Sequence, residues 1–191
     1  MFWRRKKTPE DYKREKTKKS VKKAKCSLWK GAGQNPCLFV SEVYKVHGSI
    51  SISINSDSSV GEVIASFARK PSLGGIFLVD LELRFVGLIT RVDLLKWAHI
   101  KLTGGKGRQE IAVSELFRIA DARRAKELMT PDTQMLSVKE SDTLYAALDK
   151  MLDYKQDIIP VVDDEGRILG DLGLSEVLWA GIAYGRRSTR E

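Results

Sequence analysis

The same strand–helix joint occurs twice in this chain, and no other feature limits its fold as strongly. Phe85-Val86-Gly87-Leu88-Ile89-Thr90-Arg91-Val92-Asp93 passes from β-type residues into helical spacing. A hydroxyl and a carboxylate three residues apart stand at the changeover, which is a helix-start pattern. Ile168-Leu169-Gly170-Asp171-Leu172-Gly173-Leu174-Ser175-Glu176 makes the same passage near the C-terminus. Gly87 and Gly170 are 83 positions apart, and that offset also sets Ile76-Phe77-Leu78-Val79-Asp80 on Ile159-Pro160-Val161-Val162-Asp163 and Arg84 on Arg167. One residue of slip later, at an offset of 84, Val60, Val63, Ile64 and Phe67 fall on Leu144, Ala147, Leu148 and Met151. Both quartets have the i, i+3, i+4, i+7 spacing of a helix with one buried face. The chain therefore holds two copies of a strand–helix–strand–strand–helix unit.

Within this frame each segment has a local signal. Ser49-Ile50-Ser51-Ile52-Ser53-Ile54 alternates as a half-buried strand does. Ser56-Asp57-Ser58-Ser59 caps a helix over 60–68, and the apolar run 76–79 is a strand. A strand over 84–90 and a helix over 91–100 complete the first unit. In the second, 135–138 reads as a strand, 144–154 as a helix, and 158–162 and 167–172 as strands joined at Asp163-Asp164-Glu165-Gly166. The last helix is expected over 174–183. Residues 38–46 and 111–129 read as helical lead-ins to the two units, and Ser41-Glu42-Val43 resembles Lys126-Glu127-Leu128. Thr103-Gly104-Gly105-Lys106-Gly107-Arg108 follows a helix instead of a strand and lacks the full phosphate-loop pattern, so it reads as a linker.

Charge is unevenly placed. Residues 1–30 carry thirteen Lys or Arg against three acids, whereas the remainder carries 20 basic and 22 acidic residues. The basic excess therefore belongs to the N-terminal segment, which has no sustained apolar stripe and reads as a disordered tail. Such a tail suits nucleic acid or an anionic membrane, with Phe2 and Trp3 as interfacial anchors; a solvated, solubilising tail accounts for it equally well. No apolar run reaches the length of a membrane span, and no apolar segment follows the basic start as in a secretory signal. The expected location is cytoplasmic, with Cys26 and Cys37, eleven positions apart, reduced. His47 and His99 stand alone, and no nucleophile elbow, metal cluster or dinucleotide fingerprint is present, so the chain is not expected to be an enzyme.

The paired motifs resemble those of cystathionine-β-synthase (CBS) domains in tandem, the regulatory unit also called a Bateman module. Gly87-Leu88-Ile89-Thr90-Arg91-Val92-Asp93 matches that family's G-h-x-[ST]-x-x-[DN] signature. Ile159-Pro160-Val161-Val162-Asp163 matches its apolar-Pro-Val-Val-Asp strand, and Lys126-Glu127-Leu128-Met129-Thr130-Pro131 resembles its lead-in. The resemblance implies an α/β fold in which two tandem β-α-β-β-α repeats pack by their sheets about a pseudo-two-fold axis. The expected organisation is a tail at 1–30, a first repeat with its lead-in at 31–102, a linker and connecting helix at 103–124, a second repeat at 125–183 and a polar tail at 184–191.

It further implies a regulatory module that binds an adenosyl ligand (AMP, ADP, ATP or S-adenosylmethionine) between the repeats and modulates a partner protein, commonly as a homodimer. No cofactor is required; the nucleotide is the regulatory ligand. Carried over residue by residue, Thr90 is the phosphate contact and Asp93 the ribose acceptor, with Arg91 beside the phosphate. Met135, Leu136, Gln156, Asp157 and Ile158 are candidate walls. The chemistry is consistent, because a carboxylate accepts both ribose hydroxyls and a helix N-terminus favours an anion. Capping alone also accounts for Thr90 and Asp93. The second copy departs from the signature, with Gly173 for the hydroxyl residue, Glu176 for the Asp, and Asp171 adding negative charge. The competing reading is a dimeric scaffold that acts through its basic tail.

Overall fold

Alternating apolar and small polar residues set the first strand, and the first sheet is built outward from it. The computed structural model describes residues 38–44, 49–103 and 119–188. The basic tail, Cys26, Cys37, His47 and the 104–118 stretch with its expected linker lie outside the described residues. Strand β1 (Ser51–Asn55) is followed by helix α1 (Val60–Arg69), whose cap Ser59 accepts the Glu62 N–H at 3.2 Å. Of the expected stripe, Val60, Val63 and Phe67 are buried, whereas Ile64 is 38% exposed at its edge. The helix returns the chain so that β2 (Gly75–Val79) lies parallel to β1, a pairing that needs such a crossover. Strand β3 (Phe85–Thr90) pairs antiparallel with β2, and α2 (Arg91–Thr103) leaves it with no spacer.

The second unit has the same plan. Helix α3 (Ala125–Leu128) and a 3-10 turn (Thr133–Met135) lead to β4 (Val138–Lys139), α4 (Leu144–Tyr154), β5 (Ile158–Val162), β6 (Ile168–Gly173) and α5 (Leu174–Ser188). The sheets are ordered β1-β2-β3 and β4-β5-β6. In each, the central strand is buried along its whole length, which is why β2 and β5 read as unbroken apolar runs.

Three expectations need correction. The strand expected over 135–138 is only Val138–Lys139, with Met135 in the 3-10 turn. Pro160 in β5 is the cause: the parallel ladder begins at Val138 opposite Val161, beyond the proline, which has no N–H to donate. The carbonyls of Ser137 and Met135 are instead taken by the Lys150 ammonium, the latter at 3.4 Å. The helix expected over 111–129 is interrupted within its described part. Ile119 and Ala120 are helical, but the chain then opens until α3 because the N–H groups of Arg123 and Arg124 bond the Glu127 carboxylate at 2.6 and 3.0 Å. Those N–H bonds, Arg124 foremost, hold the Glu127 carboxyl below its ordinary pKa. The final helix continues past 183 to Ser188.

The lead-ins cross over between the repeats. The first, with a 3-10 turn at Val40–Glu42, docks on the second repeat: Val40 N–H donates to Asp142 O (2.9 Å) and Ser41 N–H to Glu140 O (3.1 Å). The second docks on the first repeat through equivalent bonds, Ala125 N–H to Ser58 O (2.8 Å) and Lys126 N–H to Ser56 O (2.9 Å). Glycine makes room on both sides. A Cβ on Gly170 would stand 3.0 Å from the Tyr44 ring, and one on Gly87 would stand 2.6 Å from Met129 Sδ. The cores follow this crossing. Val40, Val43 and Tyr44 pack with Leu136, Leu144, Met151 and Leu172, while Ala122, Ala125 and Leu128 pack with Val63, Phe67 and Ile76. Residues 38–182 make up one compact unit.

The two hairpin turns carry different residues at the position of positive φ. Gly166 has φ +86°, and its counterpart Leu83 has φ +62°. A left-handed backbone costs an L-residue about 1–2 kcal/mol, partly offset by the greater unfolded-state freedom of glycine. The Leu83 side chain is exposed and so recovers little by packing. Leu83→Gly is therefore expected to stabilise the protein by about 0.5–1 kcal/mol, a rise of roughly 2–4 °C in melting temperature per kcal/mol. A fall in melting temperature would show that Leu83 packs in solution.

Candidate functional site

The joint between β3 and α2 gathers the polar groups that the signature singled out. Asp93, in the first turn of α2, is buried. Its Oδ2 accepts three hydrogen bonds of 2.8 Å, from Thr90 N–H, from the Thr90 hydroxyl and from the Thr130 hydroxyl. Oδ1 has no partner among the described residues. The first two bonds are the local cap expected from Thr90-x-x-Asp93. The third comes from the lead-in of the other repeat. A carboxylate oxygen with three donors is saturated, so the carboxylate presents its remaining acceptor capacity on Oδ1.

The other residues named from sequence divide into groups. Thr90 closes β3 opposite Gly75, and the Ile158 side chain lies 3.4 Å from where a Gly75 Cβ would be, so Ile158 stands beside the first joint. Asp157 is at the second joint, where its carbonyl accepts the Leu174 N–H at 2.8 Å, and Gln156 N–H bonds back to Met151 O at 2.9 Å. Leu136 is fully buried in the core, whereas Met135 is 68% exposed. Arg91 is turned towards the loop before β2. Its guanidinium donates to the carbonyls of Pro71 and of Leu73 (3.3 Å) and lies 5.2 Å from the centre of the Phe67 ring. The Thr90 hydroxyl is committed to Asp93, so donating to a phosphate requires it to give up that bond.

At the second joint Gly173 N–H donates to Glu176 Oε2 at 2.7 Å. The longer side chain thus caps α5 as Asp93 caps α2. Asp171 is buried, and its Oδ2 accepts the Ile50 N–H at 2.9 Å. It fastens the approach to β1 onto β6.

Sequence reasoning gave no role to Thr130 or Thr133. Thr133 is completely buried; its hydroxyl donates to Thr130 O (2.8 Å) and accepts the Leu88 N–H (3.1 Å). Thr130 N–H donates to Leu88 O at 3.0 Å. Both outward-facing backbone groups of Leu88 on the edge strand β3 are therefore satisfied by the second lead-in. The available signal was the pair of hydroxyls just after Met129, in a segment already matched as a lead-in. Among the described residues no cluster of His, Cys, Asp and Glu is placed to hold a metal, and no helix is long and apolar enough to cross a membrane.

The family model of the CBS domain matches this chain twice, over residues 43–100 and 125–182. The chain belongs to the CBS domain family. Its two CBS repeats coincide with the two sheet-and-helix units. Among curated proteins, the inosine-5'-monophosphate dehydrogenase of Methanocaldococcus jannaschii is 28% identical over 127 residues, covering 66% of this chain but only 21% of the dehydrogenase. Among solved structures, a CBS domain-containing protein from Thermotoga maritima superimposes with a TM-score of 0.59 at 24% identity, over 75% of this chain and 93% of its own. CBSX2, solved in complex with AMP, gives 0.57 at 22% identity, over 76% and 97%. The CBS domain pair of MJ0100, solved with 5'-methylthioadenosine and S-adenosyl-L-methionine, gives 0.53 at 22% identity, over 76% and 98%. These likenesses establish the tandem CBS fold.

Proposed function

We propose that this CBS pair is a sensor that binds an adenosyl ligand at the β3–α2 joint and passes its occupancy to a partner protein, without catalysis of its own. The observation that carries the reading is Asp93, a buried carboxylate held at a helix start by three donors on one oxygen, with the other oxygen unengaged. Such a group suits a ribose diol, whose two hydroxyls are donors. The relatives solved with AMP and with S-adenosyl-L-methionine support the ligand class. Titration calorimetry of the full chain with AMP, ADP, ATP and S-adenosylmethionine tests it. One of the four should bind with one strong site per chain; no heat with any of them would refute the reading.

An oligomeric role is favoured by a separate observation. Val92 and Leu95 on α2, and Leu178, Trp179 and Ile182 on α5, are large apolar side chains at least half exposed on equivalent helices of the two repeats. Paired apolar helices of this kind suit a second copy of the chain. Light scattering at micromolar concentration should report a dimer, and Trp179→Glu should shift it to monomer; a monomeric parent would dismiss this reading. The proposed scaffold role of the basic tail falls on residues outside those described.

A further inference from the structure

We propose that Thr130 is a positioning residue for the adenosyl site: the second repeat's lead-in aims the Asp93 carboxylate of the first. This rests on the reading of Asp93 as the ribose acceptor. Thr90 and Asp93 are close in sequence, and their bonds would form in any helix cap. The Thr130 bond spans 37 positions and serves no cap.

Thr130 is itself held at three points. Its N–H donates to Leu88 O, its carbonyl accepts the Thr133 hydroxyl, and its own hydroxyl reaches Asp93 Oδ2 at 2.8 Å. The missing side chain at Gly87 lets Met129 lie close against β3, and this sets the height of the next residue. A donor fixed in this way removes the freedom of the carboxylate to swing about its Cβ–Cγ bond. Precision of that kind comes from supporting residues packed behind a site, not from the contact residue alone. Because the support arrives from the other repeat, the first site is complete only while the second lead-in is docked.

The test uses adenosine, the moiety shared by AMP, ATP and S-adenosylmethionine, beside 2',3'-dideoxyadenosine, which lacks both ribose hydroxyls. The parent protein should bind adenosine at least about tenfold tighter than the dideoxy compound. Thr130→Val should weaken adenosine by about tenfold while leaving the dideoxy compound unchanged, so that the discrimination collapses. Thr130→Ser, which keeps the hydroxyl, should restore it. Thr130→Ala serves as a second variant without the hydroxyl, and melting curves confirm folding before titration. Equal weakening of both compounds would show that Thr130 only supports the fold, and unchanged discrimination in the Val and Ala variants would overturn the proposal. A parent that fails to distinguish the two compounds would refute a different statement, the assignment of Asp93 to the ribose.

Discussion

Phe77→Ala is expected to lower the unfolding free energy by about 3–5 kcal/mol and the melting temperature by roughly 10 °C, as one transition. Phe77 is completely buried in the middle of β2, opposite Leu88 and edge-on to Phe85, with ring centroids 5.8 Å apart. Its neighbours in the core include Ile158, Ile159 and Leu172 of the second repeat and Tyr44 of the crossed lead-in. The counterpart position in β5 holds Pro160, a smaller side chain. The cavity would therefore open where the two repeats meet, and the loss should be felt by both. Calorimetry that shows one half still melting at the parent temperature would mean that the repeats unfold separately.

Asp93→Ala should cost both affinity and stability. Truncation leaves the Thr90 N–H and the hydroxyls of Thr90 and Thr130 without their acceptor at a buried position, a loss of about 2–3 kcal/mol. Ligand affinity should fall at least about tenfold. Asp93→Asn separates the two effects. Its carbonyl oxygen still accepts from the three donors, while its NH2 faces the ligand and cannot accept a hydroxyl. The Asn variant should thus melt near the parent temperature and still bind poorly. Glu176→Ala removes the cap on Gly173, with about 1 kcal/mol lost and affinity almost unchanged. Normal binding by Asp93→Asn together with loss of binding by Glu176→Ala would move the site to the second joint.

Much of this architecture was legible because it is written in short-range patterns. Three of the four stripe residues, Val60, Val63 and Phe67, are buried as their spacing implies, with Ile64 left exposed, and Ser59 and Thr143 cap the helices that follow them. Features decided by distant residues were not legible. The chain between Ala120 and α3 has helical composition, yet it opens because the Val60 N–H takes the Arg123 carbonyl at 3.0 Å and Glu127 takes the neighbouring N–H groups. Strand β4 is short because of a proline more than twenty positions away in sequence. Asp171 read only as added negative charge at the second joint, and its bond to the Ile50 N–H, made from a buried position, was not legible. At the first joint the two residues on one helix turn were legible and the third, Thr130, was not, since nothing in a local pattern tells a hydroxyl which carboxylate it will meet.

The crossing of the lead-ins bears on how a chain like this arises. Each repeat carries a segment that has no place on its own sheet and fits the other's. Two separate copies of such a unit would bind one another with the same reciprocity, segment i on body j and segment j on body i, which is the arrangement of a symmetric dimer. Joining them end to end changes nothing in those contacts and adds only a connector. Once joined, the copies are free to differ, and the presence of Thr90 and Asp93 on one side, with Gly173 and Glu176 on the other, is the mark of partners that no longer need to be identical.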